Sequence, residues 1–257
     1  MTGLLFHSVD IKPKFSMSSY SKDKFEAILD RLIRDNARMI TVCQQTSIHE
    51  NPHIPTTAIT FDDGLTTFYD NAYPLLEDKG IKSTIFPVAG LIGKTGDWDI
   101  MGKTRHMDAP MLRKIASSGH EIGSHSLTHA NLVWLDDNEL MKELRDSKSI
   151  LEDITGTAVK SISFPFGSWN KRVSDAAKSA GYEYASAYRR HRRVLPGIMP
   201  VMGVYRFDGI DDIINRISPT SSLSTLTSKT VARMMSHFSK GTPVVKFRRE
   251  YVKFPGF

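Results

Sequence analysis

The chain has little cysteine, no long apolar run and no large excess of one charge. One cysteine, Cys43, among 257 residues excludes an internal disulfide and is typical of a reducing compartment. No apolar stretch is long enough to span a bilayer. The N-terminal sequence MTGLLFHSVD lacks the basic region, apolar core and cleavage site of a signal peptide. We therefore expect a cytoplasmic protein, with peripheral contact at the inner membrane face left open.

The remaining composition is that of a folded domain. Apolar residues make up 40% and charged residues 24% of the chain, which is long enough for one large domain. The net charge of +6 is modest, and no basic stripe with interleaved aromatics indicates nucleic acid binding. The basic run at residues 189–193 is either a solvated loop or a contact for lipid-linked phosphate or an anionic membrane.

Strand and helix patterns alternate about seven times along the first 217 residues. This alternation predicts an α/β fold, a distorted (β/α) barrel of about seven parallel strands with helices outside. Residues 218–257 are first rich in Ser and Thr and then basic and aromatic, so we expect domain 1–217 and a C-terminal extension 218–257. The predicted strands are residues 3–6, 39–42, 57–61, 83–88, 120–123, 161–164, 184–188 and 203–207.

Two short motifs carry the chemistry. TFDDG at residues 60–64 places Asp62 and Asp63 at the end of a predicted strand, and SHSLTH at residues 124–129 places His125 and His129 four residues apart. On a helical turn residues at this spacing share a face, so both imidazoles could bind one ion, with Asp63 as the third ligand. One carboxylate and two imidazoles form a common site for a divalent metal. Zinc is the metal expected here, and the same ligands also accept cobalt, nickel, manganese or iron.

Each feature also has a structural explanation. An isolated Asp62 or Asp63 would more often cap a helix than catalyse a reaction, and an isolated His125 would more often be structural. A second carboxylate beside a metal ligand, however, can serve as a general base. Because these features occur together and in order, the joint functional interpretation is favoured.

The motifs, taken together with GHEIG at residues 119–123 and FPFG at residues 164–167, resemble the NodB homology domain of polysaccharide deacetylases, carbohydrate esterase family 4. The resemblance extends over roughly residues 4–207. It implies a metal-dependent hydrolase that removes acetyl from an N-acetylated sugar and releases acetate and a free amine. It also implies that Asp62 takes a proton from water and that the backbone amide of Phe166, where the family usually has Tyr, helps to bind the oxyanion.

Two further residues, Trp98 and His7, have both a functional and a structural explanation. Trp98, Pro165 and Phe166 are expected to contact the substrate, although Trp98 could equally pack on the rim. His7, at the end of the first strand, lies near the metal if the resemblance to poly-N-acetylglucosamine deacetylases holds, and is otherwise only a polar strand end. His7, His106 or a water molecule could protonate the leaving amine.

The chain departs from the family pattern at two points. Ser163 and Phe164 occupy the region where many members have an Arg that orients the base, and Arg206 could supply a guanidinium from another direction. The late Leu-x-His motif, which supplies a general acid, has no clear match, and His237 is poorly placed for this role.

Three functions therefore compete. The first is N-deacetylation of a glycan or a lipid-linked sugar, and the second is deformylation or another amide hydrolysis at the same site. The third is a degenerate glycan-binding protein that keeps the fold. The oligomeric state is left open.

Overall fold

A ring of short parallel strands lies at the centre of the computed structural model, which describes residues 1–12, 16–47, 54–96, 104–188 and 196–217. The strands of this part of the chain are β1 (Gly3–Phe6), β2 (Ser8–Asp10), β3 (Ser19–Ser21), β4 (Arg38–Ile40), β5 (Thr56–Asp63), β6 (Thr84–Pro87), β7 (Thr95–Gly96), β8 (Thr104–Arg105), β9 (Glu121–Ile122), β10 (Ser161–Ser163), β11 (Tyr184–Tyr188) and β12 (Ile198–Gly203).

Helices pack around the ring. The α-helices are α1 (Lys22–Arg34), α2 (Tyr73–Asp78), α3 (Ala109–Ser117), α4 (Asp137–Thr155), α5 (Lys171–Ser179) and α6 (Ile210–Ile217). Helix α4 shows why such segments fold locally. Asp136 accepts a hydrogen bond from the backbone N–H of Glu139, whose side chain accepts one from the N–H of Asp136 in return, and Gly156 ends the helix in a left-handed conformation.

The strands close into a nearly complete barrel of seven parallel strands. Their order around the barrel is β1, β5, β6, β9, β10, β11 and β12, with β12 paired again to β1. A parallel bridge between Ser124 and Ile162 joins the β9 and β10 sides. Because the strands are parallel, their carboxyl ends lie at one rim of the barrel. The predicted fold class is thereby confirmed.

Side chains alternate between two apolar clusters. Leu5 and Phe86 belong to the smaller cluster inside the barrel, whereas Leu4, Phe6 and Ile85 pack outward against the helices. This period-two alternation is the expected pattern for strands that are buried on both faces.

One predicted strand differs in position from the structure. The strand predicted at residues 203–207 lies at Ile198–Gly203. Proline is disfavoured inside strands, so Pro200 argued against a strand at this position. Arg206 therefore follows the strand in a turn. Pro74 lies in the first turn of α2, where proline is tolerated, after a π-helical turn at Phe68–Ala72.

No helix within the described ranges has the length and apolarity needed to cross a membrane. The predicted extension 218–257, the basic run 189–193 and Trp98 lie outside the described residues. The division into domain 1–217 and an extension stays a prediction.

Candidate metal and catalytic site

The two adjacent carboxylates end strand β5. Asp62 is 4% and Asp63 9% exposed. Adjacent residues of a regular strand point to opposite faces, but Asp63 has a left-handed φ of +69° that ends the extended geometry. Oδ2 of Asp62 and Oδ1 of Asp63 consequently lie 3.8 and 3.6 Å from Nε2 of the same residue, His125.

Gly64 makes this turn possible. Its φ is +67°, and a Cβ at this position would lie 2.8 Å from Cα of Pro87 on strand β6. A side chain here would therefore clash with the backbone of the neighbouring strand. The glycine of the TFDDG motif is explained by this close approach as well as by its backbone conformation.

The two histidines lie on a loop, and the predicted helical turn is wrong. Ser126 and His129 have left-handed φ values of +64° and +61°, which break any regular helix. Oγ of Ser126 accepts a hydrogen bond from the backbone N–H of His129 at 3.1 Å and so closes the loop. The histidines converge because of this loop conformation rather than through helical periodicity.

His125 is oriented by strand β10. Its Nδ1 lies 2.8 Å from the carbonyl oxygen of Ser163, so Nδ1 carries the proton and donates it. The lone pair of Nε2 then faces the carboxylates. A carbonyl acceptor behind the ring is the usual way in which a protein orients a metal-binding imidazole.

The donor set fits a divalent metal. Ligand atoms of Asp63, His125 and His129 all lie within 4.8 Å of one another. Oδ1 of Asp63 is buried, has no hydrogen-bond partner and lies 3.6 Å from Nε2 of each histidine. Tetrahedral ligands at about 2.1 Å from a zinc ion are separated by about 3.4 Å, close to this spacing.

The environments of the two carboxylates differ. Burial raises the pKa of Asp62, and the nearby imidazoles of His125 and His7 oppose this only in part. Asp63 is also buried, which by itself raises its pKa, but the surrounding imidazoles, that of His129 first, outweigh burial and hold the pKa below its ordinary value. Asp63 is thus the carboxylate that the site keeps ionised.

Ser163 is a partner of Asp62 that the sequence did not identify for this role. Its hydroxyl donates to Oδ2 of Asp62 at 3.0 Å, in the place where many relatives were expected to have an arginine. Oδ1 of Asp62 is buried and has no hydrogen-bond partner. Oδ2 is therefore held by the protein beside His125, whereas Oδ1 keeps its capacity to accept a hydrogen bond.

The FPFG motif forms a tight turn next to His129. Pro165–Gly167 is a 3₁₀ turn in which Phe166 has φ +59°, and the Phe166 ring meets the His129 ring edge-on at 4.6 Å between centroids. A Cβ on Gly167 would lie 2.2 Å from Cδ2 of Tyr188. The turn is thus packed between a metal-ligand candidate and an aromatic ring from strand β11.

Tyr188 is a second residue at this rim for which the sequence predicted no role. Its hydroxyl lies 3.4 Å from that of Tyr205, and its pKa is raised well above the ordinary value by burial, by Tyr205 and by the two aspartates. The phenol therefore stays protonated near neutral pH. Its position at the carboxyl end of a barrel strand was the available signal.

Two of the remaining predicted residues, His7 and His106, interact with the aspartates. His7 follows β1, and its charge lowers the pKa of both aspartates, so it faces the carboxylates. Nδ1 of His106 donates to the backbone carbonyl of Asp63 at 2.9 Å.

The backbone N–H of Arg206 donates to the carbonyl of Met17 at 2.9 Å, and the Arg206 guanidinium lies over the Phe207 ring at 5.7 Å. Trp98 and His237 lie outside the described residues.

A barrel with these motifs at its carboxyl rim defines a class of protein. Residues 49–185, more than half of the chain, match the sequence model described as polysaccharide deacetylase, and the chain belongs to this family. The predicted family membership is thereby confirmed.

Individual relatives agree with this assignment. The Bacillus subtilis protein YxkH, named as a candidate polysaccharide deacetylase, is 29% identical over 76% of this chain and 71% of its own length. A poly-β-1,6-N-acetyl-D-glucosamine N-deacetylase of Staphylococcus aureus is 26% identical over 65% of this chain and 60% of its own.

The fold also matches a solved structure. The crystal structure of BC0361, a polysaccharide deacetylase from Bacillus cereus, superposes with a TM-score of 0.70 at 21% identity. The match covers 84% of this chain and 68% of that one. At this identity the likeness shows the shared fold.

Proposed function

We propose that this protein hydrolyses the N-acetyl group of an N-acetylated sugar, in a polysaccharide or a glycolipid precursor, and releases acetate and a free amine. The observation that carries the proposal is the convergence of Asp63, His125 and His129 beside a second buried carboxylate, Asp62. The name of the S. aureus relative, a poly-β-1,6-N-acetyl-D-glucosamine N-deacetylase, adds β-1,6-linked N-acetylglucosamine as the first glycan to test. The cytoplasmic location stays a prediction.

Asp63, His125 and His129 would hold one divalent ion, zinc being our first choice among zinc, cobalt, nickel, manganese and iron. When bound, such an ion activates water and polarises the amide carbonyl. Asp63 supplies negative charge to the site, and the Ser163 carbonyl keeps the His125 ring in the tautomer that offers Nε2. The chain thus supplies three donors, and a hydrogen bond from the His125 ring to the backbone orients that donor.

Asp62 acts as the general base. Its Oδ2 is held by the Ser163 hydroxyl at 3.0 Å, while its buried Oδ1 has no hydrogen-bond partner and can accept the proton of an attacking water. We assign the orientation of Asp62 to Ser163, and the earlier assignment to Arg206 stays a prediction. A general base needs this fixed placement, because proton transfer depends on hydrogen-bond geometry.

Phe166 and its neighbours would bind the acyl group. The left-handed conformation of Phe166 presents its backbone at a turn packed against His129, where its N–H can donate to the developing oxyanion. Pro165, Phe166 and Trp98 are the proposed substrate contacts. His7, which faces both aspartates, is our candidate for protonating the leaving amine.

The test is acetate release from β-1,6-linked and β-1,4-linked N-acetylglucosamine oligomers and from lipid-linked N-acetyl sugars, with zinc present. Asp62→Asn should abolish turnover but retain zinc, whereas His125→Ala should lose zinc. Asp175→Asn, which removes an exposed carboxylate on α5, should behave like the wild type.

The outcomes separate the rival functions. Formate release from N-formyl sugars without acetate release would favour the deformylase. Zinc binding with no amide hydrolysis on any of these substrates would favour a degenerate glycan-binding protein.

A further inference from the structure

Helix α4 carries a buried carboxylate on the face that packs against the barrel. Glu143 is 8% exposed and lies on the same face as Leu140 and Leu144. An ionised side chain is rarely buried unless polar groups surround it, because burial removes its hydration. A glutamate on the apolar face of an amphipathic helix therefore has a specific partner.

The partner is the loop that carries the two histidines. Oε2 of Glu143 accepts hydrogen bonds from the backbone N–H groups of Leu127 at 2.9 Å and Thr128 at 3.0 Å. Oε1 accepts from the hydroxyl of Thr128 at 2.6 Å. One carboxylate thus receives three hydrogen bonds from Leu127 and Thr128, two of the three residues between His125 and His129.

This loop needs external support for its conformation. Ser126 and His129 both have left-handed φ values, which residues other than glycine adopt only when their surroundings hold them. The other side of the loop is held by the backbone, where Ala89 and Gly90 donate to the carbonyls of Ser126 and Leu127. Glu143 supplies the hydrogen bonds from the helix side.

We propose that Glu143 is a positioning residue that holds the 125–129 loop in the conformation in which both imidazoles converge, so that metal affinity depends on it. The inference rests on the metal site of the proposed function. Glu143 binds the backbone between the two ligands, so losing its acceptors lets the segment that carries His129 move away from His125, which the Ser163 carbonyl still holds. Outer partners of metal ligands typically contribute about 10- to 100-fold to affinity.

The experiment measures zinc affinity of the full-length, metal-free protein by competition with a chromophoric chelator. Glu143→Met keeps the side-chain volume but removes both acceptors, and should weaken zinc binding about 10- to 100-fold. Glu143→Gln retains an acceptor for the two N–H groups and should recover most of the affinity. Leu151→Ala is the control, because Leu151 is buried on α4 two turns further along and its loss destabilises the fold away from the loop.

A second pair of variants covers the case in which Glu143→Met does not fold. Thr128→Val removes only the hydroxyl that donates to Oε1, and should weaken zinc binding measurably, whereas Thr128→Ser should bind zinc like the wild type. A folded Thr128→Val protein with wild-type affinity would contradict the proposal.

The remaining outcomes are equally definite. The proposal is overturned if folded Glu143→Met binds zinc as the wild type does, or no more weakly than Leu151→Ala. If the wild type binds no zinc, the metal site of the proposed function fails and this inference fails with it. If the wild type binds zinc and His125→Ala does not, the metal site stands. Unchanged zinc affinity in the Glu143 variants then contradicts this inference alone.

Discussion

Ser163 and His125 are joined by a hydrogen bond of 2.8 Å between the Ser163 carbonyl and Nδ1 of the imidazole. The hydroxyl of the same serine donates to Oδ2 of Asp62 at 3.0 Å. A single residue at the end of strand β10 therefore orients both a metal-ligand candidate and the proposed base. Its backbone serves the first and its side chain the second, so a side-chain substitution can separate the two functions.

Ser163→Ala should lower kcat about 10- to 100-fold, since a hydrogen bond to a charged group contributes about 1.5–3 kcal/mol. Zinc affinity should stay unchanged, because the carbonyl that orients His125 remains. The measurement is steady-state acetate release together with metal analysis. Ser161→Ala, on the same strand but bonded to Glu121, is the matched control and should leave kcat as it is.

Arg206→Ala tests the alternative partner of Asp62. If the guanidinium reaches Asp62 or the substrate during turnover, kcat should fall at least about tenfold, an effect of about 1.4 kcal/mol, with metal content unchanged. Arg38→Ala removes an exposed arginine on strand β4 and controls for the loss of one positive charge. Unchanged turnover in Arg206→Ala would remove this residue from the site.

Gly167→Ala should destabilise the fold by about 2–5 kcal/mol. A left-handed alanine costs about 1–2 kcal/mol, and overpacking costs about 1–3 kcal/mol more. The overpacking arises because the new Cβ would lie 2.2 Å from Cδ2 of Tyr188. Urea denaturation measures the change.

Gly156 provides the matched control for this substitution. It has a φ of +68° and no atom within 4 Å of an added Cβ, so Gly156→Ala should cost only the backbone contribution. When Gly167→Ala is introduced into the Tyr188→Ala variant, it should cost much less stability than in the wild type, because the added Cβ no longer meets the Tyr188 ring. Equal losses in Gly167→Ala and Gly156→Ala would show that the Tyr188 contact has no effect.

His120 should make the protein less stable in mild acid. Burial lowers the pKa of its imidazole, and the hydrogen bond to Glu77 opposes this only in part. Below about pH 6.5 the unfolded chain takes up a proton that the folded state does not accept. The free energy of unfolding contributed by His120 is therefore complete above this pH and falls as the pH decreases, by at most about 1.4 kcal/mol per pH unit.

His120→Gln isolates this contribution. Glutamine offers an acceptor for the Ser83 N–H and a donor for Glu77 but does not titrate. The measurement is the unfolding free energy of wild type and variant by denaturation between about pH 5 and 7.5. The difference between the two should decrease as the pH is lowered. A difference that is independent of pH would contradict the prediction.

Much of the fold was predictable because it depends on local patterns. Strands such as Tyr184–Tyr188 and helices such as Asp137–Thr155 carry the expected periodicity and capping residues. Strand Ile198–Gly203 was not predictable in the same way, because Pro200 is tolerated there only in its particular place in the barrel. The family resemblance depended on short motifs, and these do not change when the predicted boundary of a strand is wrong.

The sequence by itself determined which residues meet. Asp62 and Asp63 end one barrel strand, His125 and His129 follow another, and parallel strands bring their carboxyl ends to one rim. The tertiary structure alone decided how they meet. Left-handed conformations at Asp63 and His129 have no strong signature in the sequence, because contacts from distant segments hold them. Ser163 lies 101 positions from Asp62, and Glu143 reaches the histidine loop from helix α4, so their parts in the site arise only when the barrel is closed.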